Sequence, residues 1–409
     1  MNTIFNVLGI KLTKKQKITL CFLLATTICF MWASYSVYYI KHIEVYMMIM
    51  SIIILMSLGR SMRDKKEVRK VKPLFASGFI IYFMITLLIH GEKPSVGVLC
   101  GLLMGYLVLS LKSTYKIWLY DRFITLIAIL FGLSVIEFIL ATFCGISYIN
   151  YTPIYRFDTD AHYFYQGIIT LFPYTFQYGL ARFQAFTEEP GLVGTLCAFL
   201  LACIDLKKNK WQAGVFIISG VLSMSLAFYL MFALWLIYML SNKKYLKFNM
   251  ILFSFLAGVF FYTQDLIFEL VGGRFENVTS ITDLDNRGTY TFKKEFDRYI
   301  RSGEAIFGRG LRTFHATFSD STESGGNAGA KPFIYSYGLF SMLLLFFTYS
   351  TSFLKVNGFS KKSLFVLLLF WLSFYQREYW YTPYNIIPLF NFGLYDTYKA
   401  NLTLSFKKV

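Results

Sequence analysis

The stretch that decides the fold is RFQAFTEEPG, residues 182–191, which leads directly into the apolar run LVGTLCAFLLAC. Arg182 supplies a cation, Glu189 a carboxylate, and Pro190 begins the apolar run. Proline suits the first turn of a helix, where its missing N–H costs no hydrogen bond, and a carboxylate before it lies beside the positive end of the helix dipole. The pattern predicts a membrane helix that begins at Pro190, with ionised groups at a membrane boundary. A simpler interpretation is that Glu189 only caps the helix and Arg182 is a solvated loop residue.

The composition is that of a helical membrane protein. Of the 409 residues, 56% are hydrophobic and 15% are charged. Apolar stretches long enough to cross about 30 Å of hydrocarbon recur from Lys17 onward. No small-residue cleavage site follows the first apolar run, which we therefore interpret as a retained membrane helix. We predict an all-α polytopic membrane helical bundle in which residues 1–409 form a single domain.

The basic residues are distributed unevenly along the chain. The formal net charge is +17, and the loops and termini predicted on the N-terminal side hold 26 of the 40 Lys and Arg, with 5 acids. The two long loops predicted on the other face hold 11 basic and 14 acidic residues. An excess of Lys and Arg on one face is the signature of cytoplasmic membrane loops. The charge therefore favours a multi-pass membrane protein with a cytoplasmic N-terminus, and it predicts no nucleic-acid partner.

Alternating apolar runs and basic loops predict about twelve transmembrane helices. Two long extracytoplasmic loops separate them, residues 148–189 and residues 265–334. The predicted spans are 18–40, 43–59, 73–90, 95–111, 123–147, 190–206, 211–224, 226–241, 248–264, 335–355, and two short spans within 363–398.

Both long loops carry recognisable patterns. The first is dense in Tyr and Phe, which either stack on sugars or pack at the membrane interface; the interfacial role accounts for most of them. In the second, Phe292, Phe296 and Tyr299 recur at helical spacing and predict an amphipathic helix near 290–302. The later run SDSTESGGNAGA suits a mobile lid or linker.

Glu137 lies inside the predicted span 123–147. A charge in hydrocarbon is expensive, so it marks either a functional site or a helix-pairing site with a nearby partner. A structural role, with the carboxyl group hydrogen-bonded, is the interpretation we favour.

Six of the arginines on the predicted outer face are candidates for binding an anionic substrate. Arginine offers a fixed fork of donors that matches phosphate, so several of them together could hold a lipid diphosphate at the outer leaflet. The alternative is that most pair with the acids of the second loop or anchor at headgroups. They are Arg182, Arg274, Arg287, Arg309, Arg312 and Arg377.

Two further side chains could transfer protons. Glu189 could act as general base on an attacking sugar hydroxyl, or it could orient an arginine. His315 is the one histidine of the second loop and has the pKa range for proton transfer, although a lone loop histidine is often incidental.

The sequence predicts neither a metal nor a cofactor. Two Asp-x-Asp pairs, residues 158–160 and 283–285, are similar to the metal-binding pairs of nucleotide-sugar transferases, but both lie on the predicted outer face, away from cytoplasmic nucleotide sugars. The six cysteines lie in or beside apolar runs, and none forms a CxxC, so neither disulfides nor a zinc site is expected. No P-loop, Rossmann fingerprint or GxSxG elbow is present.

An arginine followed by six residues and then Glu-Pro at the start of a span, as in residues 182–190, resembles the O-antigen and capsular polysaccharide repeat-unit polymerases. These are the Wzy-type members of the O-antigen ligase and polymerase superfamily. The features that follow are similar in order and cover residues 180–380, whereas the first five spans carry no matching motif. They are the tightly joined spans around LSMSLAFY (222–229), the long loop with Arg274 and Arg287, the GRG at 308–310, Gly338, and YQREY at 375–379.

The resemblance implies a GT-C-like bundle in the bacterial cytoplasmic (inner) membrane and a glycosyl transfer at its outer face. A glycan on undecaprenyl diphosphate would be transferred to the non-reducing end of a lipid-linked repeat unit, without nucleotide sugar or metal. Arg182 and Arg287 would stabilise the leaving diphosphate, and Glu189 would assist the acceptor hydroxyl. Substrate would also be bound by Arg274, Arg309, Arg312, His315 and Arg377.

The implied partners are the lipid-linked donor and acceptor, membrane lipids, a chain-length regulator and a flippase. Related polysaccharide ligases place a His-Asn pair just before the span that starts near residue 335. This chain has Gly326-Asn327 there, so a ligase-style catalytic histidine is not supported.

Other functions fit parts of the sequence. A lipid-linked oligosaccharide flippase or an O-antigen ligase would share the size and the basic inner loops, although a flippase should line its spans with charges, of which Glu137 is the clearest here. A solute transporter should show paired halves with Gly- or Pro-broken spans, a pattern that this chain lacks.

Overall fold

The structure, a computed structural model, describes ten stretches of the chain. They are residues 12–31, 43–58, 62–144, 150–155, 161–173, 182–187, 189–241, 289–318, 329–377 and 380–406. Several sequence predictions lie outside the described residues, namely the span 248–264, Arg274, Arg287, Gly326-Asn327, most of the SDSTESGGNAGA run, and the Asp pairs at 158–160 and 283–285.

Most of the described residues are helical. The helices are α1 (Lys14–Met31), α2 (Ile43–Ser57), α3 (Lys65–Phe79, continued by a π-helical segment Ile80–Ile89), α4 (Val96–Ser110), α5 (Ser113–Phe143), α6 (Pro190–Cys203), α7 (Lys210–Leu222), α8 (Leu226–Leu240), α9 (Tyr290–Tyr299), α10 (Leu311–Phe318), α11 (Ala330–Asn357), α12 (Lys361–Gln376) and α13 (Pro383–Phe406). A short 3₁₀ turn, Gly303–Ile306, lies between α9 and α10.

The surface of the bundle is that of a membrane protein. Among the described residues, Lys65–Ile89, Ser113–Phe143 and Ala330–Asn357 are long and apolar enough to cross a bilayer. Large apolar side chains are exposed along several helices, including Leu88 at 66% and Phe347 at 61%. A soluble protein rarely exposes so much contiguous apolar surface, whereas acyl chains cover it at no cost.

Helix α6 is the centre of the bundle. Every residue from Gly191 to Cys203 is buried, and the helix contacts α7, α8, α12 and α13. A helix that is apolar on all sides is stable only when other helices surround it. The stretch at 182–191 therefore leads into the most enclosed helix described, which fixes Glu189 at one end of the core.

The helices expose two different ends. We call the end that carries Glu92, Glu137, Glu189, Ser223 and Gly308 the loop end, because Glu92, Glu137 and Ser223 bind residues of the two long loops there. The opposite end, called the basic end, carries the first turns of α1, α3, α5, α7 and α12, which begin with or follow lysines.

Two helices begin earlier than the spans predicted at 73–90 and 123–147. Asp64 accepts a hydrogen bond from the Lys66 N–H at 2.8 Å, and this cap starts α3 at Lys65. Lys116, expected in a cytoplasmic loop, is 0% exposed in α5 and pairs with Glu67 of α3 at 2.8 Å. Hydropathy detects only hydrocarbon-facing sequence, so it misses helical turns whose charges neutralise one another inside the protein.

A small antiparallel sheet lies in the first loop, where the sequence analysis predicted no strand. β1 (Asn150–Tyr155) pairs with β2 (Ala161–Gln166), with Tyr151 opposite Tyr165, and β2 pairs with β3 (Leu171–Pro173). Aromatic and β-branched residues favour strands, so the Tyr-rich composition carried this signal beside the interfacial one. The chain remains predominantly helical in the described residues.

Part of the second loop folds as a small unit with its own core. Helix α9 lies where the amphipathic pattern near 290–302 places one, and Phe292, Phe296 and Tyr299 are buried. They pack with Phe314, Phe318 and Tyr335, so that α9, α10 and the first turns of α11 form one aromatic cluster. We call residues 289–318 the loop unit.

Candidate active site

Glu189 and Arg377 form an ion pair at the loop end, between Oε2 and Nη2. Glu189 is the N-cap residue of α6, and Arg377 is the C-cap residue of α12. The Arg377 side chain is 3% exposed, whereas that of Glu189 is 39% exposed. The cation is thus inside the protein and the carboxylate covers it from the solvent side.

Glu189 occupies a capping position without making the usual side-chain cap. Its carboxylate makes no hydrogen bond to the first N–H groups of α6. The N-cap carboxylate usually accepts such a bond, and Pro190 removes one donor from this turn. Because the carboxylate is bound to Arg377, the simpler interpretation of Glu189 as a plain helix cap is not what the described geometry shows.

Residues 183–187, which precede Glu189, are buried inside the protein. Phe183, Ala185 and Phe186 are each 0% exposed. The Thr187 hydroxyl donates to the Gln184 carbonyl at 2.9 Å. The Leu171 N–H donates to the Ala185 carbonyl at 2.7 Å, which ties the segment to β3. The buried residues that precede Glu189 therefore help to fix its position at the start of α6.

Arg182 binds the tight connection between α7 and α8. Its Nε donates to the Ser223 carbonyl at 3.2 Å and its Nη2 donates to the Met224 carbonyl at 3.3 Å. Met224 has a positive φ of 48°, and the carbonyls of a helix C-terminus carry partial negative charge that a cation offsets. The two bonds favour a positioning role for Arg182, which links α7 and α8 to the segment that carries Glu189.

The GRG turn at 308–310 lies against the start of α11. The Arg309 N–H donates to the Tyr335 carbonyl at 2.8 Å, and the Gly310 N–H donates to the Ser336 carbonyl at 3.1 Å. Gly308 has φ +85° and Gly338 has φ +85°, and backbone atoms of each segment occupy the space where the other glycine would carry a Cβ. The two glycines allow a backbone contact that other residues would block.

Gly338 also breaks α11, because its φ and ψ are not helical. The first turns of α11 therefore pack against the loop unit, and the apolar span begins after the kink. The sequence predicts a span that begins near 335, and the contact with Gly308 explains why a glycine stands at 338.

Arg309 is enclosed by side chains of the protein itself. It pairs with Glu295 at 2.8 Å and with Glu304 at 2.6 Å, and its Nη1 donates to the Tyr335 hydroxyl at 3.1 Å. The guanidinium also lies over the rings of Tyr299 and Tyr335, at 5.4 and 5.5 Å from their centroids. These contacts match the alternative in which a loop arginine pairs with the acids of its own loop.

The same contacts change two pKa values in the loop unit. The hydrogen bonds that Arg309 donates to Tyr335, Glu304 and Glu295 raise the pKa of Arg309 above its usual value. Burial raises the pKa of Tyr299 to about 12, although the nearby Arg309 charge opposes the change. Tyr299 is therefore neutral at physiological pH and donates its hydroxyl to the Ile334 carbonyl at 2.9 Å.

Glu92 caps α10 from a distant part of the chain. Its carboxylate accepts the N–H groups of Leu311 at 3.0 Å and Arg312 at 2.9 Å. His90 Nε2 lies 3.1 Å from the Phe307 carbonyl, so the α3–α4 turn holds the loop unit at two points. Neither His90 nor Glu92 was predicted to have a role from the sequence. Their position at the predicted turn between the spans 73–90 and 95–111 was the one feature that could have pointed to them. Arg312 and His315 have exposed side chains on α10.

Glu137 anchors the first loop. Its carboxylate accepts the N–H groups of Ile168, of Ile169 at 3.0 Å and of Thr170 at 2.9 Å. Three backbone donors satisfy a carboxylate near the end of a membrane helix, where an unsatisfied one would be expensive. This geometry agrees with the structural role favoured from sequence.

The described residues thus divide the predicted site. Glu189 and Arg377 meet directly, Arg182 holds the adjacent α7–α8 link, and Arg309 lies in the separate aromatic cluster of the loop unit. Among the residues that the structure describes, no group of three or more His, Cys, Asp or Glu side chains could hold a metal ion. Chemically, Glu189 offers a partly exposed carboxylate that could act as a base, and Arg377 offers a buried guanidinium that could bind an anion.

Comparisons with protein-family models, with curated proteins and with solved structures find no match to this chain.

Proposed function

We propose that this chain polymerises undecaprenyl-diphosphate-linked oligosaccharide repeat units into O-antigen or capsular polysaccharide, at the outer face of the bacterial cytoplasmic membrane. The observation that carries the proposal is the Glu189–Arg377 pair, built at the end of the most enclosed helix from two segments that resemble the polymerases. A carboxylate beside an anion-binding arginine is what glycosyl transfer from a lipid diphosphate requires.

The proposed reaction forms one glycosidic bond and breaks one sugar–phosphate bond. Glu189 takes the proton of the acceptor hydroxyl as its oxygen attacks the anomeric carbon of the donor. The bond from that carbon to the diphosphate breaks, and the diphosphate leaves with both bonding electrons. Arg377 stabilises the charge that develops on it, and the reaction needs no nucleotide sugar.

The ion pair also suggests a substrate-free state of the site, in which Glu189 occupies Arg377. A diphosphate carries more negative charge than a carboxylate and matches the guanidinium fork well, so it would compete with Glu189 for Arg377. Displacing the carboxylate would free it to accept a proton from the acceptor. Binding of the donor and activation of the base would then be one event, with Arg182 holding the surrounding backbone in place.

The finer architecture belongs to the same proposal. We propose about twelve spans in a GT-C-like arrangement, a cytoplasmic N-terminus, and partners that include a flippase and a chain-length regulator. Reporter fusions should find Glu92, Glu189 and the loop unit on the outer side. A cytoplasmic signal from any of the three would overturn the topology.

The function is tested by glycan length in a bacterial strain that lacks the gene. Complementation with the wild-type chain should restore long polymer, whereas Glu189→Gln and Arg377→Lys, present at normal levels, should leave a core capped with a single repeat. Glu304→Gln is the matched control, because it removes a carboxylate from an arginine pair at the same end, with 61% side-chain exposure. It should restore long polymer.

The same gel separates the competing functions. A strain that lacks a flippase shows no repeat units outside, and a strain that lacks a ligase makes polymer that stays on its lipid carrier. Either pattern in the deletion strain would replace the polymerase proposal with that alternative.

A further inference from the structure

The basic end carries a groove that the proposed reaction does not use. It lies between α1 and α2 and has a volume of about 460 Å³, within the range of small-molecule and lipid sites. Its lining residues are Lys14, Lys15, Ile18, Thr19, Phe22, Ile53 and Ser57. We infer that this groove is a binding site for an anionic phospholipid.

The lining is polarised along the helix axis. Lys14 and Lys15 are in the first turn of α1, and Ile18 and Phe22 follow on the same face at spacings of three or four and seven or eight residues. Ile18, Phe22 and Ile53 remain 47%, 44% and 48% exposed. The trough itself is almost wholly apolar, and the exposed Lys14 and Lys15 lie at one end of it, which matches a molecule with a hydrocarbon tail and an anionic head.

The opposite face of α1 is already occupied. Gln16 donates to the Tyr115 hydroxyl at 2.9 Å, and Leu20, Leu23 and Leu24 are buried in the core. α1 therefore cannot rotate to bury Ile18 and Phe22 against the protein. Ile18 and Phe22 stay exposed on a helix of a membrane bundle, where acyl chains are the apolar partner that can cover them.

The charge of the site selects the headgroup. A lysine is attracted to an anionic membrane surface, and two lysines at one groove favour an anionic over a zwitterionic headgroup of the same chain length. The helix N-terminus adds partial positive charge beside them. The inference concerns a structural lipid and does not depend on the proposed glycosyl transfer.

Native mass spectrometry of the purified full-length chain tests the site. Phosphatidylglycerol and phosphatidylcholine of equal chain length are titrated in parallel, and the first should bind more tightly. Lys14→Gln with Lys15→Gln should weaken phosphatidylglycerol binding by roughly tenfold and remove the preference. Phe22→Ala should weaken phosphatidylglycerol several-fold without altering the lysines, since it shortens the apolar trough.

The control variant carries Lys65→Gln with Lys66→Gln. These lysines are also exposed in the first turn of a helix at the basic end, but they do not line the groove. The control should keep the wild-type preference. If both double variants lost phosphatidylglycerol affinity equally, the lipid would be attracted to the basic end as a whole. If the groove variant kept the wild-type preference for phosphatidylglycerol, the lipid would bind elsewhere. Either result would overturn the proposed site. Glycerol phosphate should bind weakly, because it lacks the tail, and tight binding would show a plain phosphate site instead.

Discussion

The two arginine clusters at the loop end are built in opposite ways. Arg377 is 3% exposed behind a carboxylate that is 39% exposed, whereas Arg309 is 30% exposed among carboxylates that are 28% and 61% exposed. In the first cluster the cation is buried and the anion faces out. In the second, two carboxylates, a tyrosine hydroxyl and two aromatic rings surround the cation.

Under the proposed function, this difference would separate an arginine that binds substrate from an arginine with a structural role. An arginine whose donors are matched by several protein groups gains little from a substrate, because binding would first break those contacts. Arg377 differs from Arg309 in that it is buried while the carboxylate bound to it is partly exposed, so an anion could compete with Glu189 for it. The sequence predicts substrate binding at both Arg309 and Arg377; the structure shows Arg309 engaged by two carboxylates of its own loop.

The largest expected effect comes from removing Glu189. Glu189→Ala should abolish polymer formation and should also lower the free energy of unfolding by about 3 kcal/mol, because it leaves Arg377 buried without this carboxylate. Thermal unfolding in detergent measures the second effect. The double variant Glu189→Ala with Arg377→Met should recover much of the lost stability but none of the activity. If the double variant recovered no stability, Glu189 and Arg377 would not be energetically coupled.

The next effect comes from the backbone contact that docks the loop unit. Gly338→Ala forces a side chain into a backbone conformation that is essentially restricted to glycine and into the space of the Ile306 carbonyl. The cost should be roughly 1–3 kcal/mol, and the loop unit should become more accessible to protease. Gly358→Ala is the control: its φ is also positive, but nothing lies within 4 Å of the added Cβ. Equal protease sensitivity in both variants would assign the effect to strain rather than to docking.

A smaller effect is expected at Arg309. Arg309→Met removes partly exposed ion pairs and the stacking on Tyr299 and Tyr335, which together should lower stability by about 1 kcal/mol. Polymer length should stay at the wild-type value, in contrast to the Arg377 variant. A loss of polymer with unchanged stability would move Arg309 into the site and would remove the distinction between the clusters.

The smallest effect is expected at Glu92. Glu92→Gln keeps an oxygen acceptor for one of the Leu311 and Arg312 N–H groups, but it places an amide NH2 against the other and removes the charge, so the cap should weaken by about 0.5–1 kcal/mol. Hydrogen exchange of α10 should rise while α9 is unaffected. Exchange that rises throughout residues 289–318 would show that Glu92 holds the whole loop unit rather than one helix.

Local sequence patterns located the helices better than they located the site. Proline at the first helical position, apolar runs and glycine ends are local signals, so α6, α7, α8 and α12 begin within two residues of the predicted spans. The Glu189–Arg377 pair joins residues 188 positions apart, and no local rule specifies such a partner. The Arg182 bonds to the Ser223–Met224 backbone were equally hidden, because the acceptors are carbonyls that every residue possesses.

The sequence-based predictions were incomplete where one residue pattern is compatible with two different structures. The tyrosines of the first loop suit both a membrane interface and a strand, and the described residues there form a sheet. Lys116 looked like a cytoplasmic anchor because hydropathy cannot anticipate Glu67 on another helix. The glycines at 308 and 338 were noticed separately, yet their contact depends on how the loop unit folds.

The length of α6 bears on how the proposed reaction would reach its lipid substrates. Fourteen residues rise about 21 Å, about 9 Å less than a hydrocarbon layer of about 30 Å. In the proposed topology Lys207 and Lys208 lie among the inner headgroups, so Glu189 would lie below the level of the outer headgroups. A prenyl carrier would then have to lower its charged head to reach Glu189, and a thicker bilayer would slow each round of the proposed chain extension.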